Sequence, residues 1–329
     1  MNIAIGKLGQ KLIFNRESKE GMRSATNGNA SVWSFYNLLI TQRKHDNFIF
    51  VGNYDILPSK NCYDINDFDQ TKIDIGLFFV GIFHDEKMIN FINKSNLKYV
   101  LICDDLRCLD VLNDNKKLIN LPIKIISQIE QEYTFHNQVY KLIYLPIETS
   151  MCYKFKYKKI KKIDNMNILA NYSEVYDRLK IVTYFINDLS NINVYGRLDK
   201  NTKYLSNFKG EIGLNEAFKK LQQSKLTFLV PVKKNVITTK YVEALMNNCL
   251  PIFYVDYGTK YIDNPIVNIL TISTKEEFNK LYYLLIHHEE VRSLLLKTLQ
   301  KKLINPWISG KKLTRIIIKV LKEYKGEVL

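Results

Sequence analysis

The sequence predicts an α/β protein made of two Rossmann-like domains in tandem, each a doubly wound parallel sheet. Three observations predict it. Short apolar runs bounded by glycine and polar residues alternate with stretches of helical spacing. The alternation breaks in a lysine-rich segment near residue 155 and restarts at Met166. The 329 residues suffice for two domains, with 46% hydrophobic and 25% charged residues, as in globular proteins.

In the first half, Asn2 to Ile5 reads as a strand ending at Gly6. A polar stretch from Lys7 to Gly28 follows, carrying Lys11, Arg16, Lys19 and Arg23. Loops of that length are usually functional or mobile. Ala30 to Thr41 is a helix, and Phe48 to Val51 a second strand. A polar segment then runs to Asp74. Leu77 to Val80 is a third strand, bounded by Gly76 and Gly81. A short helix, Glu86 to Ile92, leads to the strand Tyr99 to Cys103. That strand ends in Asp104-Asp105-Leu106-Arg107. Ligands of open α/β sheets bind beyond the carboxyl ends of strands, where a carboxylate can act as a general base. Capping of the following segment is an equally good role for either aspartate. Ile123 to Ile126 and Lys141 to Leu145 complete the first set of strands.

Tyr153 to Lys162 holds six lysines with interleaved aromatics and reads as an interdomain linker. Beyond it come the strand Asn167 to Ala170, a polar turn from Tyr172 to Arg178, and a helix to Ile186. Next are the strand Asn191 to Tyr195, the loop Phe208 to Gly213, a helix to Gln222, and the strand Leu226 to Val230. Two such units in succession, without sequence repetition, predict domains facing across a cleft.

Val236 to Asp256 is the most informative stretch. Thr238 or Thr239 can cap a helix N-terminus. Tyr241, Ala244 and Leu245 give it an apolar face, Asn247-Asn248 stops it, and Pro251 to Val255 is a buried strand. Lys240 and Glu243 share its first turn. Free N–H groups and a lysine suit a phosphate, and a glutamate one turn on suits sugar hydroxyls. An ordinary capped helix accounts for the stretch equally well. The tail is helical over Lys275 to Ile286, Glu289 to Leu303 and Lys311 to Lys322, with a break at Pro306-Trp307. His287 and His288 beside Glu289 and Glu290 read as an exposed helix junction rather than a metal pair.

The net charge is +15, and all of the excess follows Ser150. Up to that residue there are 17 basic and 17 acidic side chains; beyond it, 31 and 16. Such a field attracts polyanions, although a lysine-rich composition by itself produces the same number. The five cysteines, Cys62, Cys103, Cys108, Cys152 and Cys249, form no Cys-x-x-Cys pair. Zinc sites and a disulfide framework are therefore not expected, and a reducing compartment fits. No apolar run reaches the roughly 18–20 residues of a membrane span, and the N-terminus lacks signal-peptide organisation.

Taken in order, these segments resemble the bacteriophage DNA β-glucosyltransferases, which glucosylate hydroxymethylcytosine in duplex DNA. The resemblance is distant but runs along nearly the whole chain. It starts at Met1-Asn-Ile-Ala-Ile5 and continues through Tyr99-Val-Leu-Ile-Cys-Asp-Asp-Leu-Arg107, Leu121-Pro-Ile-Lys-Ile-Ile-Ser-Gln128 and Tyr144-Leu-Pro-Ile-Glu148. Asn191-Ile-Asn-Val-Tyr-Gly196, Phe208-Lys-Gly-Glu-Ile212 and Thr239-Lys-Tyr-Val-Glu243 follow. It implies the two-domain GT-B architecture, with residues 1–162 as acceptor and DNA domain and 163–307 as UDP-sugar domain. A last helix, about 308–329, returns to the first domain.

By the same resemblance Asp105 is the catalytic base, Ile212 lies near uracil, and Glu243 binds the ribose. Lys240 stands where the family has arginine, and Arg178 and Ser173 fall at the pyrophosphate. Lysine for arginine loses the bidentate fork. The turn before Arg178 is shorter than the family's and lacks its paired glycines. The resemblance implies a UDP-sugar donor, duplex DNA as acceptor, no tightly bound cofactor, and Mg²⁺ or Mn²⁺ held through the diphosphate. It also implies a monomer in the cytoplasm of an infected bacterial host, with no membrane partner. A polysaccharide acceptor, or a non-catalytic nucleotide- or DNA-binding protein of the same fold, are the competing readings.

Overall fold

The computed structural model describes residues 1–8, 29–52, 62–64, 69–80, 89–90, 92, 94, 97–103, 123–127, 132–135, 138–156, 160–170, 172, 177–198 and 207–326. The chain divides into two compact units, Met1–Tyr153 with Ser309–Leu329, and Lys154–Ile308.

The first unit opens with β1 (Asn2–Leu8), α1 (Asn29–Gln42), β2 (Asn47–Gly52) and β3 (Cys62–Asp64). Then come β4 (Ile75–Val80), β5 (Tyr99–Cys103) and β6 (Ile123–Ser127). β7 (Glu132–Phe135) and β8 (Gln138–Lys141) pair antiparallel as a hairpin, and β9 (Ile143–Tyr144) returns to the main sheet. That sheet has the order β3-β2-β1-β4-β5-β6-β9, all parallel. β4 and β5 are buried along their whole length, as a sheet covered on both faces requires.

Three expectations are corrected here. Gly76 lies inside β4 rather than at its boundary: a Cβ there would collide with the Tyr99 ring, so glycine makes room for an aromatic on the next strand. Lys141 to Leu145 is not one strand, because Lys141 closes the hairpin and only Ile143–Tyr144 joins the sheet. The supposed linker starts inside structure, since helical turns run from Ile147 to Lys154 with Cys152 buried.

The second unit holds β10 (Asp164–Leu169), α2 (Arg178–Ile186), β11 (Ile192–Tyr195), α3 (Leu214–Gln223) and β12 (Ser224–Leu229). α4 (Lys240–Met246), β13 (Leu250–Tyr254), α5 (Pro265–Ile269) and β14 (Thr271–Ile272) follow, then α6 (Lys275–His287) and α7 (Glu289–Leu299). Its sheet runs β11-β10-β12-β13-β14, again all parallel. Phe185 of α2 packs on Phe228 of β12 (5.3 Å) and on Phe278 of α6 (5.5 Å), holding the helix against the sheet and its neighbouring helix. α4 is buried on every side from Tyr241 to Met246, not along one face only. It stops where Asn248 takes φ +55, with Asn247 Nδ2 donating to the Glu243 carbonyl at 2.8 Å and Gln300 Nε2 to that of Leu245 at 2.8 Å.

The last helix, α8 (Lys311–Lys325), belongs to the first unit. It buries Leu313, Ile317, Ile318, Val320 and Leu321. Gly310 permits the entry: its φ is +68, and a Cβ would strike Leu38 of α1. At the other end Lys325 pairs with Asp74 at 3.1 Å, and Lys98 and Lys124 sit over the Tyr324 ring.

Candidate functional site

In the second sheet the chain steps from β10 outward to β11, then crosses to β12 on the other flank of β10. Such a reversal opens a crevice beyond the carboxyl ends of the two inner strands. The segments that follow β10 and β12 border it. Arg178, the first residue of α2, ties them together. Its side chain is buried, and Nε donates to the Pro231 carbonyl beyond β12 at 3.1 Å. A guanidinium is planar and always charged, so this bond fixes a permanent cation at the reversal.

Lys240 and Glu243 sit at the start of α4, the next element after β12. Glu243 is only 6% exposed, and both of its carboxylate oxygens are engaged. Thr239 Oγ1 donates to Oε1 at 2.9 Å, and Lys240 Nζ to Oε2 at 2.7 Å. A carboxylate has about four lone-pair sites, so it can accept further donors while held in place. The Lys240 side chain keeps 40% of its surface exposed. Of the two candidate caps, only Thr238 accepts a helical N–H. Thr239 caps nothing; its hydroxyl orients Glu243 instead. Thr238 Oγ1 accepts the Lys240 N–H at 3.4 Å and lies 2.7 Å from the Tyr257 hydroxyl, whose pKa burial pushes up.

Ile212, half-buried, lies in a loop laid along the end of β11. Val194 bridges to Phe208, Val194 N–H donates to the Asn207 carbonyl at 2.9 Å, and Gly196 N–H to that of Gly210 at 3.0 Å. Gly196 has φ +149, and a Cβ would collide with the Ala170 carbonyl, so only glycine lets the β10 and β11 ends close together. Tyr172 fills the space beside them. Its N–H donates to the Arg197 carbonyl at 3.1 Å, and its ring meets Phe208 edge-on at 6.5 Å.

Arg178, Ile212, Lys240 and Glu243 thus all lie in segments that follow strands of the second sheet, with Arg178 bound to Pro231 and Lys240 to Glu243. Asp105 and Ser173 lie outside the described residues; Asp105 follows the end of β5 by two positions. Sequence reasoning read the Thr239 hydroxyl as a candidate helix cap and missed its bond to Glu243. His288 and Glu290 are exposed at the helix junction, 3.3 Å apart, and among the described residues no three His, Cys, Asp or Glu side chains converge as metal ligands. Among the described residues no helix is long and apolar enough to cross a membrane.

No protein-family model matches the chain, and no curated protein matches it in sequence. Solved structures do. A DNA-modifying β-glucosyltransferase, solved with and without uridine diphosphoglucose, is similar over 99% of both chains at TM-score 0.72 and 16% identity. The phage T4 enzyme in complex with UDP and Mn²⁺ gives TM-score 0.70 at 16% identity, again over 99% of both chains. A glycosyltransferase of avilamycin A biosynthesis gives 0.57 at 9% identity over 98% of both. The likeness is one of fold: the chain has the architecture of two Rossmann-like domains found in the GT-B glycosyltransferases.

Proposed function

We propose that this chain is a glycosyltransferase that moves a sugar, glucose in the first instance, from a UDP-sugar to the hydroxymethyl group of a modified pyrimidine in duplex DNA. The observation that carries the donor half is the carboxyl edge of the second sheet. Arg178 and Lys240 bring two cations there for a diphosphate, and the clamped Glu243 accepts from ribose hydroxyls. Ser173 adds a pyrophosphate contact and Ile212 a contact to uracil. The likeness over the full chain to an enzyme that modifies DNA supports the acceptor half. So does the charge excess after Ser150, including Lys311, Lys312, Arg315 and Lys319 on the exposed side of α8.

In this reading the first unit binds the acceptor and the second the donor. Asp105 takes the proton of the hydroxymethyl group as its oxygen attacks the anomeric carbon. The bond from that carbon to the β-phosphate oxygen breaks, and UDP leaves with the electron pair, inverting the configuration. Arg178 and Lys240 stabilise the charge that grows on the leaving group. The described residues bring cations to this edge rather than a carboxylate cage, so a Mg²⁺ or Mn²⁺ ion would be held mainly through the diphosphate and would add positive charge for the leaving group. The enzyme works as a monomer in the cytoplasm of an infected bacterial host.

The test is mass spectrometry of nucleosides after hydroxymethylated duplex DNA is incubated with a panel of UDP-sugars. A hexosylated hydroxymethylpyrimidine is expected, at a rate that falls steeply with salt because the protein displaces counterions from phosphates. Transfer only to a polysaccharide acceptor, or no turnover of any UDP-sugar, would overturn the proposal.

A further inference from the structure

The first unit owes its charge to one helix. Its chain up to Ser150 carries 17 basic and 17 acidic side chains, and Met151 to Tyr153 adds none. Ser309 to Leu329 brings six basic and two acidic ones, so the last segment alone makes the unit cationic. These charges are sorted onto one face of α8. Leu313, Ile317, Ile318 and Leu321 are buried, while Lys311, Lys312, Arg315, Lys319 and Glu323 are exposed. Glu323 is the one acid on that face, and it pairs with Lys319 at 3.6 Å.

Helix stability does not account for this arrangement. A helix N-terminus favours acids over cations, and like charges three or four residues apart repel. α3, α6 and α7 each carry a glutamate in the first turn. α8 has no acid there and sets Lys311, Lys312 and Arg315 at its start, with Lys319 one turn further on. A polyanion laid along the face offsets that repulsion. Lys312 to Lys319 rises roughly 10 Å at about 1.5 Å per residue, the axial length of about three phosphates of one DNA strand. The apolar face of α8 is committed to the core, so a membrane finds no hydrophobic surface here to take in. The helix is also anchored: Lys325 pairs with Asp74 at 3.1 Å, and Lys98 Nζ donates to the Tyr324 carbonyl at 2.9 Å. We propose that the exposed face of α8 is a docking surface for the sugar–phosphate backbone of duplex DNA, gripping phosphates rather than the reacting base. The proposal rests on the acceptor reading above and adds to it the surface that holds the duplex.

The experiment measures binding of a fluorescent hydroxymethylated duplex by anisotropy over a series of salt concentrations. It compares the full chain with a triple variant, Lys312→Gln with Arg315→Gln and Lys319→Gln. The variant should bind about ten- to a hundredfold more weakly at moderate salt, and its plot of log K against log salt should be shallower by about two to three. A control triple variant, Lys219→Gln with Lys280→Gln and Lys297→Gln, removes the same charge from exposed positions of the second unit and should keep the parent slope. Glu323→Gln removes the opposing acid from the face and should tighten DNA binding a few-fold. UDP affinity and the melting temperature should match the parent in every variant. An unchanged slope in the α8 variant, or an equal loss in both triple variants, would overturn the proposal. So would a lower melting temperature of the α8 variant together with unaltered DNA binding in Glu323→Gln, which would leave the face a structural role only. In each of those cases a parent that still glucosylates the duplex keeps the acceptor reading. If the parent does not bind duplex DNA at all, the acceptor reading itself fails and takes the proposal with it.

Discussion

The inner strands of the two sheets are built on different terms. In the first unit β4 and β5 are buried throughout and pack by volume, with the Phe78 and Tyr99 rings 5.7 Å apart over the space that Gly76 leaves. In the second unit β10 and β12 carry Asn167, Ser224 and Thr227 into the interior. There Asn167 N–H donates to Ser224 Oγ at 2.8 Å, and its Nδ2 donates to Asp164 at 2.9 Å and to the Lys220 carbonyl at 2.8 Å. Asn193 Nδ2 donates to the Asn167 side-chain oxygen at 3.0 Å, and Ser224 Oγ to the Leu226 carbonyl at 2.7 Å. Apolar packing sets how closely layers approach, whereas a saturated polar network allows one arrangement only. β10 and β12 are the strands that flank the reversal. The directional bonds therefore lie on the pair whose ends carry Tyr172, Arg178 and the approach to Glu243.

The contrast can be broken at either unit. The largest effect belongs to Asp105→Asn in the first unit. Turnover should fall about 10²- to 10⁴-fold, the usual worth of a general base, while UDP-glucose binding by titration stays unchanged. Glu243→Gln in the second unit should do the converse, weakening UDP binding by ~1.5–3 kcal/mol with the fold intact.

Next in size are two core changes. Gly76→Ala should destabilise the first unit by ~1–3 kcal/mol in urea unfolding, because the Tyr99 ring must move. Asn167→Ala should cost ~1–3 kcal/mol by stranding its partners, and it alone of the two should also weaken UDP binding. If both variants bind UDP equally well, the polar network does not position the site.

Lys240→Arg should give a smaller change, tightening UDP by a few-fold through a bidentate contact, provided the guanidinium still reaches Glu243. The smallest effect is Asp74→Asn, just before β4, where the carboxylate pairs with Lys325 at the end of α8. The Asn2 N–H (2.7 Å), and then Lys325, hold the Asp74 carboxyl below its usual 3.8. A depressed pKa stabilises the fold above the unfolded value, and that contribution is lost as pH falls from 3.8 through the lower folded value. The variant should thus differ from the parent by under about 1 kcal/mol at pH 7, as a part-exposed pair implies. The difference should vanish in acid unfolding.

Legibility in the sequence followed the physics of each element. Tyr99 to Cys103 was read with its true bounds, because an apolar run of five closed by two aspartates has the length of a buried strand and is too short for a helix. β3 was invisible: three residues in a polar stretch gain their strand from parallel pairing with β2, a tertiary cause. The β7–β8 hairpin left a local trace, two short runs around the His136-Asn137 dipeptide, that was not used. At the site, Lys240 and Glu243 were recognisable from their spacing at the start of a helix. The burial of Arg178 against Pro231 was not, because it joins residues 53 apart in sequence.

The central claim, a nucleotide held at the carboxyl edge of the second sheet, is tested most directly by hydrogen exchange read by mass spectrometry with and without UDP. The account predicts slower exchange in the segments around residues 172–178, 207–213 and 236–243 when UDP is added. Binding that protects only the first unit, or no protection anywhere at saturating UDP, would contradict it.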